Sequence, residues 1–517
     1  MDRPARHRRI VPLLAIGVTA TLVPGLTAGP ASAAPAPAAD TTARQLAPYT
    51  QQHLTWKRCD PDRPARFQCA TLKVPLDYGK PGGKRIKVAV SRVKTSVPGK
   101  RRGILTSNPG GPGGPGLDLP LDFARGLPKK VREQYDMVGF DPRGVGRSTP
   151  VGCGLRGNDL TYPRPNRSAT EFASNVKWAK RFAAKCQDKA GDLLPYITTR
   201  NTARDMDVLR AVLGEKKLSY FGVSYGTALG AVYTQLFPRR VDRFILDSAV
   251  DPGLMWRGMY RVWASEAGPA FKRWAKWTGE RDAKYHLGNS EAKVTRTFWN
   301  LVKRADREPI VFGRQKLDGA LVRDAMRENF FTVRGGAELM VELKKAADAG
   351  RGASAAPRAQ TPGDNEMASH FSVVCGDSDD WPRDPETYRR DLAADKARYP
   401  LYGDFTAGIS PCAYWPKGAE PVTRVDNDVP LLLLQNEWDP QTPLVTGQAM
   451  HRALKGSRMV TVDEGEGHGV LFAENTTACA KNISMAYLAT GELPARDVTC
   501  HATPGAGQRS ESTPRAF

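Results

Sequence analysis

Several features that assign proteins to common functional classes are missing from this chain of 517 residues. After residue 33, no apolar run reaches the roughly 18 residues that a membrane-spanning helix needs. No C-x-x-C or H-x-x-x-H spacing occurs, which argues against a metal site, and the whole chain has only 7 histidines. These absences exclude a membrane-spanning protein and disfavour a metalloprotein, so we expect no metal and no cofactor.

Acidic residues are the minority among the charged ones. The chain has 54 Asp and Glu against 76 Lys and Arg, which gives a net charge of +22. The cations are scattered, Lys100-Arg101-Arg102 being the densest group, and no nucleic-acid motif accompanies them. The charge therefore predicts solubility and weak adhesion to an anionic cell-wall polymer, with no nucleic acid as partner.

Residues 1–33 are typical of a secretory signal. Four arginines precede an apolar stretch from Ile10 to about Val23 and a small-residue cleavage site at Ala31-Ser-Ala33. Arg8-Arg9 leaves the export route open between the general and twin-arginine pathways. We expect a secreted, extracellular protein that starts near Ala34, with a disordered lead-in over 34–45 and a disordered tail over 502–517.

Eight cysteines in an exported chain predict four disulfides, with a metal site as the rival interpretation. Sequence alone leaves the connectivity open, but the spacing favours pairing in sequential order. The predicted bridges are Cys59 with Cys69, Cys153 with Cys186, Cys375 with Cys412, and Cys479 with Cys500.

Ser224 lies in Gly222-Val-Ser-Tyr-Gly226, a G-x-S-x-G pattern. A β-prone run, Leu218 to Phe221, precedes the pattern and a helical run, Thr227 to Phe237, follows it. A serine on a strained strand-to-helix turn needs small residues two positions away on each side. The pattern therefore predicts a nucleophile elbow at Ser224, against the alternative of an ordinary serine in a surface turn.

Strand-like runs alternate with helix-like segments along much of the chain. This alternation predicts a mostly parallel central sheet with helices on both faces. One helix is expected over Asn201 to Leu213, with Thr202 as its N-cap. Besides the elbow strand, the predicted strands are Phe67 to Asp77, Arg85 to Lys94, Gly103 to Thr106, Tyr135 to Phe140, Phe244 to Leu246, Val429 to Gln435 and Arg458 to Val462.

The alternation breaks between residues 251 and 420, where helix-like, tryptophan-rich sequence predicts an inserted lid between core segments 46–250 and 421–501. Two runs place aromatic residues on one helical face. Their members are Trp256, Tyr260 and Trp263 in the first run and Phe271, Trp274 and Trp277 in the second. These rings serve either packing within the lid or the lining of a substrate pocket.

A serine nucleophile needs a base within reach and a carboxylate that fixes the base's tautomer. Among the histidines, His468 is the one in a glycine-rich loop directly after a late strand. Asp439 follows the preceding strand and is the favoured acid. Its competitors are Asp247, Asp251 and Glu437.

Acyl transfer also needs hydrogen-bond donors for the oxyanion. The backbone N–H of Tyr225, next to Ser224, is one candidate. The loop from Asn108 to Gly116 supplies others at Gly110 and Gly111, because so much glycine exposes backbone amides. The alternative is that this loop is only a connector.

Together these motifs resemble the secreted tripeptidyl aminopeptidases of Streptomyces, in the prolyl aminopeptidase group of α/β-hydrolases, over roughly Trp56 to Cys500. The motifs are Asn108-Pro-Gly-Gly-Pro-Gly, Asp141-Pro-Arg-Gly-Val-Gly-Arg-Ser, Gly222-Val-Ser-Tyr-Gly-Thr, Asp439-Pro-Gln-Thr-Pro, Gly467-His-Gly and a TAP-like C-terminal region. The resemblance implies an α/β-hydrolase fold and a serine peptidase with the triad Ser224, Asp439 and His468.

The resemblance also implies an exopeptidase that releases short peptides, tripeptides above all, from substrates with free N-termini. A buried substrate ammonium must meet a carboxylate or carbonyl oxygen. The lid offers candidate acids, each of which could equally be a solvated surface residue: Glu328, Asp377, Asp379 and Asp380. A carboxylesterase with the same triad and a catalytically inactive adhesion protein are the alternatives.

Overall fold

The computed structural model describes residues 38–160, 168–313, 315–349, 362–472 and 476–502. The predicted signal, the first residues of the lead-in and the tail from residue 503 lie outside the described residues. The chain divides into two compact units, 1–45 and 46–517. In the first unit the described residues, from Ala38, are helical. The prediction of disorder over 34–45 is therefore wrong from Ala38 onward.

Helices and strands are numbered in chain order. The strands are β1 Lys57–Arg58, β2 Phe67–Pro75, β3 Arg85–Val93, β4 Gly103–Asn108, β5 Tyr135–Phe140, β6 Leu218–Val223, β7 Val241–Asp247, β8 Ile310–Phe312, β9 Gln315–Leu317, β10 Leu431–Trp438, β11 Ser457–Glu466 and β12 Val498–His501. The helices are α1 Ala38–Thr50, α2 Leu119–Gly126, α3 Lys129–Arg132, α4 Ala169–Ala190, α5 Thr199–Val212, α6 Tyr225–Leu236, α7 Arg257–Gly279, α8 Asp282–Tyr285, α9 Glu291–Arg307, α10 Gly319–Arg327, α11 Val333–Ala349, α12 Asp364–Gly376, α13 Pro385–Arg398, α14 Gly403–Thr406, α15 Leu444–Ala453 and α16 Ala478–Thr490.

Ten of these strands form one sheet in the order β1-β2-β3-β5-β4-β6-β7-β10-β11-β12. β1, β2 and β3 pair antiparallel at one edge. From β5 to β12 every pairing is parallel. The predicted, mostly parallel sheet is confirmed, and the loops after β4, β6, β10 and β11 open at its carboxyl edge, where α/β folds place their sites.

Both faces of the sheet are covered, because successive side chains of a strand point to opposite sides. In β10, Leu431 and Leu433 join the large apolar cluster that includes α4, α5 and α6. Leu432 and Leu434 join a second cluster with residues of α2 and α16. An unbroken apolar strand such as this one is the expected sequence for a sheet buried on both sides.

The segment predicted as a lid is helical but not uniform. Residues between Ala264 and Ala347 build an apolar cluster of their own, together with Leu401 and Tyr402. Its later part, including Phe371 and Trp415, packs into the main cluster of the sheet. A short hairpin, β8 with β9, also lies within this segment and was not predicted.

Helix α5 begins earlier than predicted. Thr198, not Thr202, is its N-cap: the Thr198 backbone is extended and its side chain accepts a hydrogen bond from the N–H of Asn201. Asp205 faces the interior, where it forms an ion pair with the fully buried Arg143. The capping interpretation failed because a threonine one turn inside a helix has the same local pattern as a cap.

The four predicted disulfides are confirmed. Cys59–Cys69, Cys153–Cys186, Cys375–Cys412 and Cys479–Cys500 are all bonded. Among the described helices, none combines the length and the apolar character that crossing a bilayer requires.

Candidate active site

Ser224 lies at the sharp turn between β6 and α6 with φ 58° and ψ −123°. Glycine is required at the two flanking positions, Gly222 and Gly226, because a side chain at either position would collide with backbone atoms. A Cβ on Gly222 would lie 2.4 Å from the carbonyl oxygen of Gly226, and a Cβ on Gly226 would lie 2.6 Å from that of Asn108. The G-x-S-x-G pattern thus allows the turn to pack against β4 while Ser224 stays partly exposed.

The loop after β4 passes directly beside the elbow. Gly110 has φ +105°, and a Cβ there would lie 2.7 Å from the carbonyl oxygen of Val223 and 2.9 Å from Ser224 Cβ. The N–H of Gly110 donates to Asn108 Oδ1 at 3.0 Å, so this amide is already occupied. Within the described residues no acceptor is recorded for the N–H of Gly111, and Tyr225 N–H opens helix α6, where it has no intrahelical partner.

Asp439 and His468 meet across two neighbouring loops. His468 Nδ1 lies 2.9 Å from each carboxylate oxygen of Asp439. Asp439 is fully buried and also accepts hydrogen bonds from the N–H groups of Gln441 at 2.8 Å and Thr442 at 2.9 Å. Since a carboxylate accepts, Nδ1 carries the proton and Nε2 is left as the basic nitrogen.

The surroundings of His468 favour its charged form. Burial, the largest single influence, lowers the pKa of His468, but the carboxylates of Asp439, Asp247 and Glu328 together outweigh burial, Asp439 contributing most. The pKa is therefore raised above its ordinary value. A histidine that receives a proton during a reaction is stabilised by this arrangement.

The loop that carries His468 is held on both sides. The Asn436 amide donates to the carbonyl oxygens of Gly467 and Gly469, both at 3.0 Å. Asp247 accepts the N–H groups of Val470 and Leu471, both at 2.8 Å. These bonds leave the loop little freedom on either side of the imidazole.

None of the three competing acids touches His468 in the described structure. Asp247 binds the backbone amides after the histidine, Asp251 accepts the N–H of Gly253 at 2.7 Å, and Glu437 accepts that of Glu464 at 2.8 Å. Burial raises the pKa of Asp247 to about 6. Its role as an anchor was missed, because the residues it binds lie more than 220 positions away.

Ser224 and His468 are joined through this anchor rather than directly. The carbonyl oxygen of Asp247 accepts the Ser224 N–H at 3.0 Å, while its side chain holds the histidine loop. The described residues record no direct hydrogen bond between the serine hydroxyl and the imidazole. Such bonds are often long until substrate is present, so the arrangement fits a nucleophile and its base.

Helix α7 brings the lid to both reactive loops. Tyr260 pairs its hydroxyl with His370 Nε2 at 3.1 Å, and His370 Nδ1 donates to the carbonyl oxygen of Pro112 at 3.1 Å. Trp263 Nε1 donates to the carbonyl oxygen of Gln441 at 2.6 Å. Of the aromatic runs, the first therefore faces the site, whereas Trp274 of the second lies in the core of the lid.

The four candidate acids of the lid differ in position. Glu328 accepts hydrogen bonds on Oε1 from Gln441 Nε2 at 2.5 Å, beside the Asp439 loop, and from the guanidinium of Arg327 at 2.6 Å. Asp377 is buried and both of its oxygens accept from Thr199, so it is already satisfied. Asp379 and Asp380 are exposed and form no hydrogen bond or ion pair with Ser224, Asp439 or His468 in the described chain.

Glu266, one turn beyond Trp263 on α7, is a further acid of the lid that was not among the candidates predicted from sequence. It is half-buried, and burial raises the pKa of its carboxyl group. Within the described residues no cation pairs with it, and its recorded contact is a hydrogen bond from Ser265 at 3.4 Å. Only its place on the helical face of Tyr260 and Trp263 could have pointed to it.

The chain is similar to known serine peptidases over most of its length. Residues 399–500 match the family model for TAP-like proteins, Abhydrolase_4. The chain is 35% identical over 494 residues to a tripeptidyl aminopeptidase of Streptomyces lividans, covering 87% of each chain. It is 30% identical over 499 residues to the serine protease Hip1 of Mycobacterium tuberculosis, covering 89% of this chain and 93% of that protein.

A carboxylesterase B of Mycobacterium tuberculosis is 30% identical over 500 residues, with 88% of this chain and 91% of that protein covered. The family-model match over 399–500 includes the acid loop and the histidine loop. The chain therefore belongs to the tripeptidyl aminopeptidase family of α/β-hydrolases, and it is a serine hydrolase.

Proposed function

We propose that this enzyme is a secreted exopeptidase that removes tripeptides from the free N-termini of peptides through an acyl-enzyme on Ser224. The observation that carries the proposal is the position of Glu328, a lid carboxylate that hydrogen-bonds Gln441, two residues from Asp439. A carboxylate beside the reactive centre can bind the α-ammonium group that distinguishes a chain end from an internal peptide bond.

In the proposed mechanism, His468 Nε2 takes the Ser224 proton as the hydroxyl attacks the scissile carbonyl carbon. Asp439 stabilises the resulting imidazolium through its hydrogen bonds with Nδ1. The N–H groups of Gly111 and Tyr225 bind the oxyanion. His468 then returns the proton to the leaving amine, and a water molecule hydrolyses the acyl-enzyme by the same steps.

The lid supports exopeptidase rather than endopeptidase action. Trp263 ties helix α7 directly to the acid loop, and Tyr260 ties it to the oxyanion loop through His370. A roof fixed at two points leaves little passage for a continuous polypeptide, whereas a chain end can enter. Glu328 at this roof pairs with Arg327 at 2.6 Å and with Gln441 through the same oxygen, Oε1. Its side chain is 55% exposed, so Oε2 remains accessible to the entering ammonium group.

Three substrates test the proposal: a tripeptide chromogenic amide, its N-acetylated twin, and a short-chain p-nitrophenyl ester. We expect the free amine to be cleaved with the highest kcat/KM. Equal turnover of the acetylated peptide would contradict the exopeptidase, and activity confined to the ester would favour the carboxylesterase that the similarity to carboxylesterase B suggests.

Glu328→Gln sharpens the test. It should raise KM for the free-amine substrate by about tenfold, the equivalent of 1.4 kcal/mol, while leaving the ester unchanged. Glu342→Gln is the matched control, because Glu342 also lies on the lid, is similarly exposed and also pairs with a cation, Lys345, but forms no hydrogen bond with the Asp439 loop in the described structure. An equal effect of both variants would remove Glu328 from the amine site.

Secretion rests on the predicted signal and on the four disulfides. Expression of the full chain in an exporting host, followed by N-terminal sequencing of the medium, should give a protein that starts near Ala34. Retention of the whole product inside the cell would contradict this part of the proposal.

A further inference from the structure

Five exposed cations lie on the outer side of the antiparallel edge of the sheet, and we refer to them as the basic face. They are Lys57, Lys73, Arg85, Lys87 and Arg147. All except Lys87 line one groove of about 700 Å³. Lys87 shares their side of the sheet because side chains alternate along β3, where Arg85 and Ala89 both line the groove.

The protein balances the charges of the basic face only in part, through the attraction between Arg147 and the Asp141 carboxylate, which lies outside the groove. No carboxylate lines the groove, and none of the five cations forms an ion pair within the described residues. Several cations elsewhere are paired, as in Arg102 with Asp242 at 2.8 Å, but others of the described residues, such as Lys303 and Arg307 of the lid, are not. What sets the basic face apart is that four unpaired cations line one groove. The positive charge of this face is therefore available to a ligand.

The register of the sheet increases the repulsion. Lys73 of β2 stands directly opposite Lys87 of β3, and Pro75 opposite Arg85. Like charges in directly opposed positions destabilise an antiparallel pair. Arg85 gains a cation–π contact with Tyr49 at 5.5 Å, but the two opposed lysines gain no such contact in the described structure, and an anion that bridges them would relieve their repulsion.

We propose that the basic face is a docking surface for a linear polymer with repeating phosphate groups, of the polyol-phosphate type found in cell walls. Lysine and arginine both bind phosphate oxygens, and a row of cations suits repeating charges. The polymer would hold the enzyme at an anionic wall surface.

Other anionic surfaces fit the basic face less well. Single-stranded nucleic acid needs exposed aromatic rings on which bases stack. Of the two aromatic rings that line the groove, Tyr49 is buried and donates its hydroxyl to Pro81 at 2.5 Å, and His53 is exposed but single, whereas stacking of successive bases needs several rings. A membrane surface would need apolar side chains, and the exposed large ones in the described chain, Val445 and Phe472, do not line the groove.

The cations on β2 and β3 are separate from the candidate active site, although the groove extends to Leu117, next to the loop from Asn108 to Gly116. β3 is three strand positions from β6, a distance of about 14 Å at the usual spacing between strands. Polymer on this face can therefore be held while Ser224 remains open to substrate.

The test measures binding of the full-length mature protein to immobilised poly(glycerol phosphate) across a salt series. The variant Lys73→Gln, Arg85→Gln, Lys87→Gln should bind at least tenfold more weakly at low salt. Its slope of log affinity against log salt should fall by about two, because each lost phosphate contact contributes roughly 0.7 to 0.9. Turnover of a short-chain p-nitrophenyl ester should not change.

The matched control replaces three exposed lid cations, Lys303, Arg307 and Lys316, with Gln, which removes the same charge from residues of the same types. The control should bind polymer like the unaltered protein. Equal weakening of both triple variants would reduce the effect to net charge and overturn the docking surface. Equal or tighter binding of single-stranded DNA of matched charge would overturn the assignment to a polyol-phosphate polymer.

Discussion

The carboxyl edge of the sheet and the lid are two regions that are each stabilised by a different kind of interaction. At the edge, Asp247, Asn436 and Asp439 bind backbone groups of the loops that carry the reactive residues. In the lid, helices are tied by charged side chains, as in the bidentate pair of Arg323 with Asp404, both bonds at 2.7 Å. Backbone hydrogen bonds fix loop positions closely, so chemistry should depend on the edge and substrate selection on the lid.

The largest effect that would separate the two regions is expected at Ser224. Ser224→Ala should lower kcat by about 10⁶, as removal of a serine nucleophile does in a comparable enzyme. The melting temperature should hardly change, because the partly exposed hydroxyl contributes little packing. A phosphonate reagent should label Ser224 in the unaltered enzyme and nothing in the variant; full activity of the variant would place the nucleophile elsewhere.

Asp439→Asn should lower kcat by about 10⁴, because an amide in this position permits the wrong imidazole tautomer. Asp247→Asn is the matched comparison, since Asp247 holds the histidine loop without touching the ring. It should cost far less, as one side-chain oxygen can still accept a backbone N–H. Steady-state kinetics on one substrate decides the order, and the reverse ranking would make Asp247 the acid.

Much of this edge could be predicted from sequence, because each reactive residue follows a strongly apolar strand at a glycine-marked turn. Ser224, Asp439 and His468 were found in that way, although their catalytic roles stay predictions. The anchoring by Asp247 could not be found, since it binds Val470 and Leu471 across more than 220 residues. Hydrogen bonds of that range leave no local pattern.

The lid was less predictable. Its helices and aromatic faces were recognised, but not that Phe371 and Trp415 pack on the sheet while Trp274 belongs to a separate cluster. Helical periodicity reports that a face is buried and not which partner buries it.

Gly110→Ala would displace the oxyanion loop at the carboxyl edge by steric overlap, without removing any functional group. The added Cβ would meet the Val223 carbonyl oxygen at 2.7 Å, and φ +105° is strained for alanine. Displacement of the oxyanion loop should lower kcat by roughly 10² to 10³ with little change in KM. Gly82→Ala is the control, because nothing lies within 4 Å of a Cβ at Gly82; unchanged kcat in the Gly110 variant would make the loop a mere connector.

Arg323→Ala, a variant of the lid, should lower stability while leaving catalysis largely intact, in contrast to the variants of the carboxyl edge. It leaves the buried Asp404 carboxylate without its partner, which costs about 3 to 5 kcal/mol of stability. The midpoint of chemical denaturation should fall, while kcat of the folded fraction stays within a few-fold of its original value. The double variant Arg323→Met, Asp404→Leu should recover part of the loss, since no unpaired charge remains; a collapse of kcat without loss of stability would show that this pair serves catalysis.

The smallest expected effect concerns Asp377, where the lid meets the elbow helix. Burial raises the pKa of Asp377 to about 7, although Thr199 donates to it and also contacts the Tyr225 hydroxyl at 2.8 Å. Between about pH 4 and 7 the folded protein holds this proton and the unfolded chain does not, so this group's contribution to stability falls as pH rises.

In Asp377→Asn that contribution is absent. Between pH 5 and 8 the melting temperature of the unaltered protein should therefore fall by a few degrees more than that of the variant. Asp379→Asn, at an exposed neighbouring position, should leave the pH dependence as it was. Identical pH dependence in the Asp377 variant and the unaltered protein would mean that the Asp377 carboxyl group is charged throughout this range. The contact between the lid and the elbow helix would then not depend on its protonation.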